Sequence, residues 1–156
     1  LSQINDQVLA AFGMRYSASH SEYIRGDHDG ELYFLETSSR VGGANIAEMV
    51  EAASGVNLWR EWAKLEIAMA RKEHYIPPAD DARYAGLIIS LARQQWPDLS
   101  VFTEPEIWWR MKKEYHVGVI VRSDDRAEIL SLLDNYMHRI YQEFHASAPL
   151  PDKPTN

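Results

Sequence analysis

Two runs of alternating residues, joined by the short segment Gly26-Asp27-His28-Asp29-Gly30, constrain this chain more than any other feature. Side chains along a strand alternate between its faces. Tyr16, Ala18, His20, Glu22 and Ile24 therefore share one face of the first run, with Ser17, Ser19, Ser21 and Tyr23 on the other. The second run groups Leu32, Phe34 and Glu36, and Ser38 and Arg40 follow at the same spacing. Asp29-Gly30 is a strong hairpin signal, and so short a connection makes the two runs antiparallel neighbours. Glu22 and Glu36 are then expected side by side or diagonally placed on one face.

Two bare carboxylates in that position repel each other. A hard cation such as magnesium takes oxygen ligands and bridges carboxylates to phosphates, which turns the repulsion into binding. The plainer alternative is that both glutamates point into water on the open face of a sheet. Arg40 adds a permanently charged planar fork of donors suited to phosphate or carboxylate. Gly42 and Gly43 let the backbone approach a ligand closely, and a helix expected from Ala44 or Asn45 aims unpaired N–H groups at an anion. Taken alone, the glycine pair reads as a tight turn. His20, on the face of Glu22, is a candidate for steadying that carboxylate or the substrate. Ser21 adjoins Glu22 but lies on the opposite face, so the two make no nucleophile–base pair. His28 sits in a turn, and His74, His116, His138 and His145 lack the spacing of a metal cluster.

The stretch Ser21-Glu22-Tyr23, with Leu32-Tyr33-Phe34-Leu35-Glu36-Thr37-Ser38-Ser39-Arg40-Val41-Gly42-Gly43, resembles the metal-and-phosphate hairpin of the ATP-grasp superfamily. That superfamily includes biotin carboxylase, carbamoyl phosphate synthetase and the carboxylate-amine ligases. The resemblance implies magnesium, or manganese in its place, held with the ATP phosphates by Glu22 and Glu36. An asparagine commonly completes the metal shell two residues after the second glutamate; Ser38 stands there, a shorter ligand. Arg40 corresponds to the arginine that contacts the reacting phosphate or acid, which makes it the expected catalytic residue. Arg40, Gly42, Gly43 and His20 are the expected phosphate-side residues. Ala44 to Leu58 is similar to the helix and glycine-containing turn that follow the motif in many members. The implied fold is α+β, the carboxyl-terminal part of an ATP-grasp domain followed by a small antiparallel sheet covered by a long helix.

Family members place a nucleotide-gripping lysine, a glycine-rich lid and the adenine pocket upstream of this hairpin. Only 21 residues precede Glu22, and the first residue is Leu1. The expectation is a carboxyl-terminal piece of a larger enzyme, inactive alone, whose partners are ATP, an unidentified carboxylate substrate and the missing upstream part of the same protein; self-association into a homo-oligomer stays open. With 156 residues, 46% of them hydrophobic, the chain can bury a core as one domain or two small ones. A formal net charge of -7 and scattered basic residues argue against a nucleic-acid surface. No apolar run approaches the roughly 18 residues of a membrane span, and no signal-peptide pattern opens the chain. Without cysteine, disulfides and thiolate zinc sites are excluded, and cytoplasm is the expected compartment.

Helical spacing of Ile4, Val8 and Phe12 predicts a first helix capped at Gly13. Further helices are predicted from Asn45 to Ser54 and from Leu58 to Lys72, the latter with Asn57 as N-cap and a stripe of Leu58, Trp62, Leu65 and Met69. Trp59 and Trp62, beside Glu61 and Glu66, read as packing residues rather than a base-stacking platform. Pro77-Pro78-Ala79-Asp80-Asp81 reads as a linker. Beyond it, Tyr84–Ala92, Glu106–Met111 and His116–Arg122 read as strands. A last helix opens near Asp125 with a capping box to Glu128 and runs to Ala146, burying Ile129, Leu133, Tyr136, Met137, Ile140 and Phe144. The expected organisation is an ATP-grasp part over 1–74, a small α+β unit over 75–148 and a disordered tail over 149–156.

Two functions of different class follow. One is an ATP- and magnesium-dependent ligase that activates a carboxylate or bicarbonate as an acyl phosphate for attack by an amine or other nucleophile. The other is a non-catalytic module that keeps the fold for binding, with Ser38 marking a decayed site.

Overall fold

The structure, a computed structural model, describes residues 1–146. The tail assigned to 149–156 lies outside the described residues. The chain divides into two compact units. The first holds Leu1–Ala47 and Val56–Asp80; the second takes Glu48–Gly55 and the chain from Asp81 onward.

In the first unit, α1 (Ser2–Ala11) ends where Gly13 adopts a left-handed φ of 68°, as its sequence predicts. The hairpin follows as β1 (His20–Arg25) and β2 (Leu32–Ser38), paired antiparallel. Its turn is closed by the Gly26 N–H donating to the Glu31 carbonyl at 2.9 Å, with Gly30 left-handed. The Asp29 carboxylate accepts from the Tyr33 hydroxyl at 2.6 Å and from the Glu31 N–H at 3.0 Å, and those two bonds hold its pKa below the usual carboxylate value.

Two features depart from strict alternation. β1 starts at His20 rather than Tyr16, because the Ser17 hydroxyl bonds the Ala18 carbonyl at 2.7 Å and the Ser39 hydroxyl at 2.6 Å, a local alternative to ladder pairing. The register also shifts by one residue: Glu22 pairs Glu36, but Tyr23 pairs Phe34, leaving Leu35 as the extra residue of a bulge. Phe34 therefore joins Tyr23 on the face opposite the two glutamates, instead of sharing Glu36's face. There it meets Tyr23 edge-on at 5.7 Å and Phe12 at 6.4 Å, while the Tyr23 hydroxyl donates to Asn5 of α1.

Helix α3 (Leu58–Arg71) is capped by Asn57, whose side chain accepts the Arg60 N–H at 2.9 Å. Its buried positions are Glu61 and Ala68, one stripe over from the centre of the expected Leu58–Met69 row, and Met69 is exposed. The Glu61 carboxylate is satisfied by Lys64 at 2.9 Å, Tyr75 at 3.1 Å and Arg60 at 3.2 Å. The Lys64 contact leads in holding its pKa below the ordinary value, against the opposing effect of desolvation.

The second unit takes most of α2 (Ile46–Ser54) and the sheet of β3 (Tyr84–Leu91), β4 (Ile107–Arg110) and β5 (His116–Ser123), ordered β3-β5-β4 and antiparallel throughout. Helix α4 (Arg126–Glu143) covers one face. Gly86 is required there: a Cβ would come within 2.8 Å of both Leu133 and Ile129. Val117, Val119, Val121, Ile129, Tyr136, Ile140 and Phe144 form the core with Phe102, which follows a short 3₁₀ turn at Leu99–Val101. Met137, expected in the buried stripe, is half exposed. The expected capping box is rewired: Asp125 accepts the Ala127 N–H, and Glu128 accepts from the Ser123 hydroxyl, which itself takes the Asp125 N–H. Among the described residues no helix is long and apolar enough to cross a membrane.

One polar network borders this core. The Tyr136 hydroxyl donates to Glu104 at 2.7 Å, and Arg139 pairs with Glu104 at 3.2 Å while lying 4.7 Å from the centre of the Phe102 ring. Burial alone pushes the Glu104 pKa up, but the Tyr136 bond, backbone N–H donors and Arg139 together outweigh it, and the net value is lowered. A lowered carboxylate pKa stabilises the fold above the unfolded pKa, and that stabilisation is lost as pH falls through the folded one. Urea midpoints are expected to fall more between neutral pH and about pH 3 in the native protein than in Tyr136→Phe, which lacks the bond. Equal falls would show that the Tyr136–Glu104 bond contributes nothing to the acid response.

Candidate functional site

The hairpin register builds the site. His20 pairs with Ser38 and Glu22 with Glu36, so these four residues form a two-by-two array on one face of β1 and β2. The hydroxyls of Ser21 and Thr37 meet at 2.9 Å on the reverse face, where α1 also packs. Directly opposed residues carry Cβ atoms about 5 Å apart. The two glutamates are both exposed, and no ion pair from Lys or Arg reaches either of them among the described residues. His20, mostly shielded, contacts Glu22 through Nε2 at 3.1 Å.

Past Ser38 the chain bends, and Arg40 is exposed with Nη1 donating to the Val41 carbonyl at 3.1 Å. The two glycines differ in use. Gly42 is buried, and a Cβ there would lie 3.1 Å from His20 Nδ1 and 3.0 Å from the Ile46 side chain, so its missing side chain serves the seating of the histidine ring. Gly43 is exposed, and the nearest atom to a Cβ there would be Arg40 Nη1 at 3.7 Å. Left-handed backbone falls instead on Ala44 and Asn45, with φ of 49° and 63°, in a turn closed by the Ile46 N–H on the Gly43 carbonyl. Helix α2 consequently opens at Ile46, slightly later than the sequence suggests. Two consecutive non-glycine residues in this conformation cost about 1–2 kcal/mol each, the kind of local strain that clusters at ligand-binding turns.

Among the described residues no three His, Cys, Asp or Glu side chains converge into a ready-made metal centre. The array offers two carboxylates and a hydroxyl, a hard-oxygen donor set. That set fits a cation that keeps several waters and shares its remaining ligands with phosphate, as magnesium does, rather than one held in a full protein cage.

No family model matches this chain, and no curated protein does. A solved structure does: the crystal structure of phosphoribosylglycinamide synthetase from Anaerococcus prevotii superposes with a TM-score of 0.56 at 18% identity, over 86% of this chain. The fold is ATP-grasp-like. At that identity the likeness is one of fold, and the chain spans 38% of the length of the synthetase it matches. The hairpin, its following helix and the small three-stranded sheet under α4 are all consistent with a carboxyl-terminal ATP-grasp-like part.

Proposed function

We propose that this chain supplies the cation-and-phosphate side of the ATP site in a ligase that activates a carboxylate as an acyl phosphate. The observation that carries this reading is the direct pairing of Glu22 with Glu36 on the uncovered face of the hairpin. An ATP-grasp-like fold over most of the chain supports it, and so does Arg40 following at the strand exit. Glu22, Glu36 and Ser38 are the residues that would hold magnesium, or manganese. When bound, the cation screens the phosphate charges so that a carboxylate oxygen can approach the terminal phosphorus.

The chain's own side chains do the remainder. Arg40 places a fixed positive charge and a bidentate donor pair where negative charge accumulates on the transferring group. His20 orients the Glu22 carboxylate through its 3.1 Å contact, and the Gly43 backbone leaves the approach to Arg40 open. The nucleotide-gripping side of the site belongs, in this reading, to sequence outside this chain.

Calorimetry separates the ligase from a non-catalytic module. Titration of ATP into the protein carrying its upstream sequence is expected to give binding that requires magnesium and is lost in a Glu22→Gln, Glu36→Gln double variant. The 156-residue chain alone is expected to bind ATP weakly or not at all. Magnesium-independent binding, or binding that survives the double variant, would remove the hairpin from the nucleotide site. The second reading draws on Ser38, a shorter ligand than asparagine: there Ser38→Asn leaves binding unchanged, whereas a working site gains affinity from it.

A further inference from the structure

A separate cleft lies wholly within the second unit, at the end of the sheet where β3 and β4 begin and β5 ends. It has a volume of about 370 Å³, and its lining includes Arg83, Arg122, Glu106, Trp108 and Asp124. The strand register explains why these side chains converge. Tyr84 pairs Ser123 and Ile107 pairs Val121, so one step further along, Arg83 lies opposite Asp124 and Glu106 opposite Arg122. The Arg122 N–H donates to the Glu106 carbonyl at 2.8 Å, and Arg83 Nε lies 3.3 Å from Asp124, which fixes both juxtapositions. All four residues extend one face of the sheet by the two-residue period, and Trp108, at the register shift between Ile107 and Trp109, adds an aromatic side chain to the lining.

The charges in this cleft are incompletely matched. Arg83 and Asp124 neutralise each other, but among the described residues neither the half-buried Arg122 guanidinium nor the Glu106 carboxylate has a hydrogen-bond or ion-pair partner. The two are cross-strand neighbours, yet they make no contact with each other at ion-pair distance. Donors and acceptors of opposite charge left open a short distance apart, beside an aromatic side chain, match a ligand that carries both charges itself. With three carboxylates in the lining, Glu106, Asp124 and Glu128, against two guanidiniums, a phosphate dianion meets net repulsion, and a simple cation meets Arg122.

We propose that this cleft binds a small zwitterion of the α-amino acid class, its carboxylate on Arg122 in a bidentate pair and its ammonium on Glu106. A volume of about 370 Å³ is ample for such a ligand. The site is independent of the hairpin, so either can fail alone.

The test is titration of the whole chain, ¹⁵N-labelled, with L-alanine, L-serine and L-glutamine, and with propionate and ethylamine as the two halves of alanine. At least one amino acid is expected to give saturable amide shifts confined to residues 83, 106–108 and 122–124. Each half-ligand, and each of Arg122→Gln and Glu106→Gln, should weaken binding at least about tenfold. The remainder of the spectrum reports whether each variant is folded, and Glu106→Gln decides the matter should Arg122→Gln fail to fold. Absence of saturable shifts with all three amino acids, propionate binding as tightly as alanine, or native affinity in Glu106→Gln would each overturn the proposal.

Discussion

If the chain serves the proposed ligase, replacing Glu36 with alanine is expected to lower ATP-dependent turnover by roughly a hundredfold or more. Charge stabilisation by a bound cation contributes several kcal/mol to phosphoryl transfer, and each 1.4 kcal/mol is about a factor of ten in rate. Glu36 faces Glu22 directly across the ladder, so its loss halves the carboxylate charge available on that face. The residue is exposed and makes no ion pair among the described residues, which leaves stability near that of the native protein and keeps the comparison a kinetic one. Glu36→Gln, which keeps the shape without the charge, is expected to fall nearly as far. Thr37→Val changes the adjacent residue on the reverse face, where its hydroxyl meets Ser21, and is expected to leave turnover within about twofold. Steady-state kinetics at saturating ATP and magnesium give the answer; unchanged turnover in Glu36→Ala would sink the ligase reading of the hairpin.

The largest expected loss of stability comes from Phe102→Ala. Phe102 is fully buried and stands at the junction of the second unit's core, 5.0 Å from the Tyr136 ring and 6.0 Å from Phe144, with the Arg139 guanidinium over its face. Its carbonyl also accepts Arg110 Nη2 at 2.6 Å. Removing the ring forfeits its transfer energy and leaves a void among side chains that are already fully packed, for a cost of about 3–5 kcal/mol. That is a large share of the stability of a domain this size. Urea denaturation followed by far-UV circular dichroism should show a correspondingly lower midpoint. A cost below about 1 kcal/mol would mean that the core collapses onto the gap or that the ring is less enclosed than its contacts imply.

Much of this architecture is legible in the residues because local chemistry and tertiary packing agree. Asn57 and Asp125 cap the helices they precede, and Gly13 and Gly55 take the left-handed conformation at helix ends. That Glu22 and Glu36 come together on the hairpin is expected from alternation and a short turn, but their direct pairing needs the bulge, since the register carried from the turn would set Glu22 against Leu35. What sequence pattern missed was settled by contacts distant in the chain. The bulge at Leu35 is invisible to a period of two, and only packing of Phe34 against Phe12 and Tyr23 gives it a purpose. Glu61 is a charged residue at a buried helical position, made tolerable by Lys64, Arg60 and Tyr75, and only two of these three partners are close to it in sequence. The close approach of Gly42 to the His20 ring, which a Cβ would crowd at 3.1 Å, is likewise invisible before the fold is known. Arg122 lies in β5 and Glu106 just before β4, and nothing in the sequence brings them together before the register of β4 on β5 is known.

The extra residue at Leu35 gives the hairpin two phases. On the side toward Ser38, the alternation of β2 is timed to present Glu36 outward; on the side toward the turn, it is reset so that Phe34 points inward to α1. The bulge therefore works as a clutch between chemistry and assembly. Residues between the bulge and the turn can be exchanged for better packing against α1 without touching the phase that presents the carboxylates. Deleting Leu35 would engage the two halves and force one to turn over.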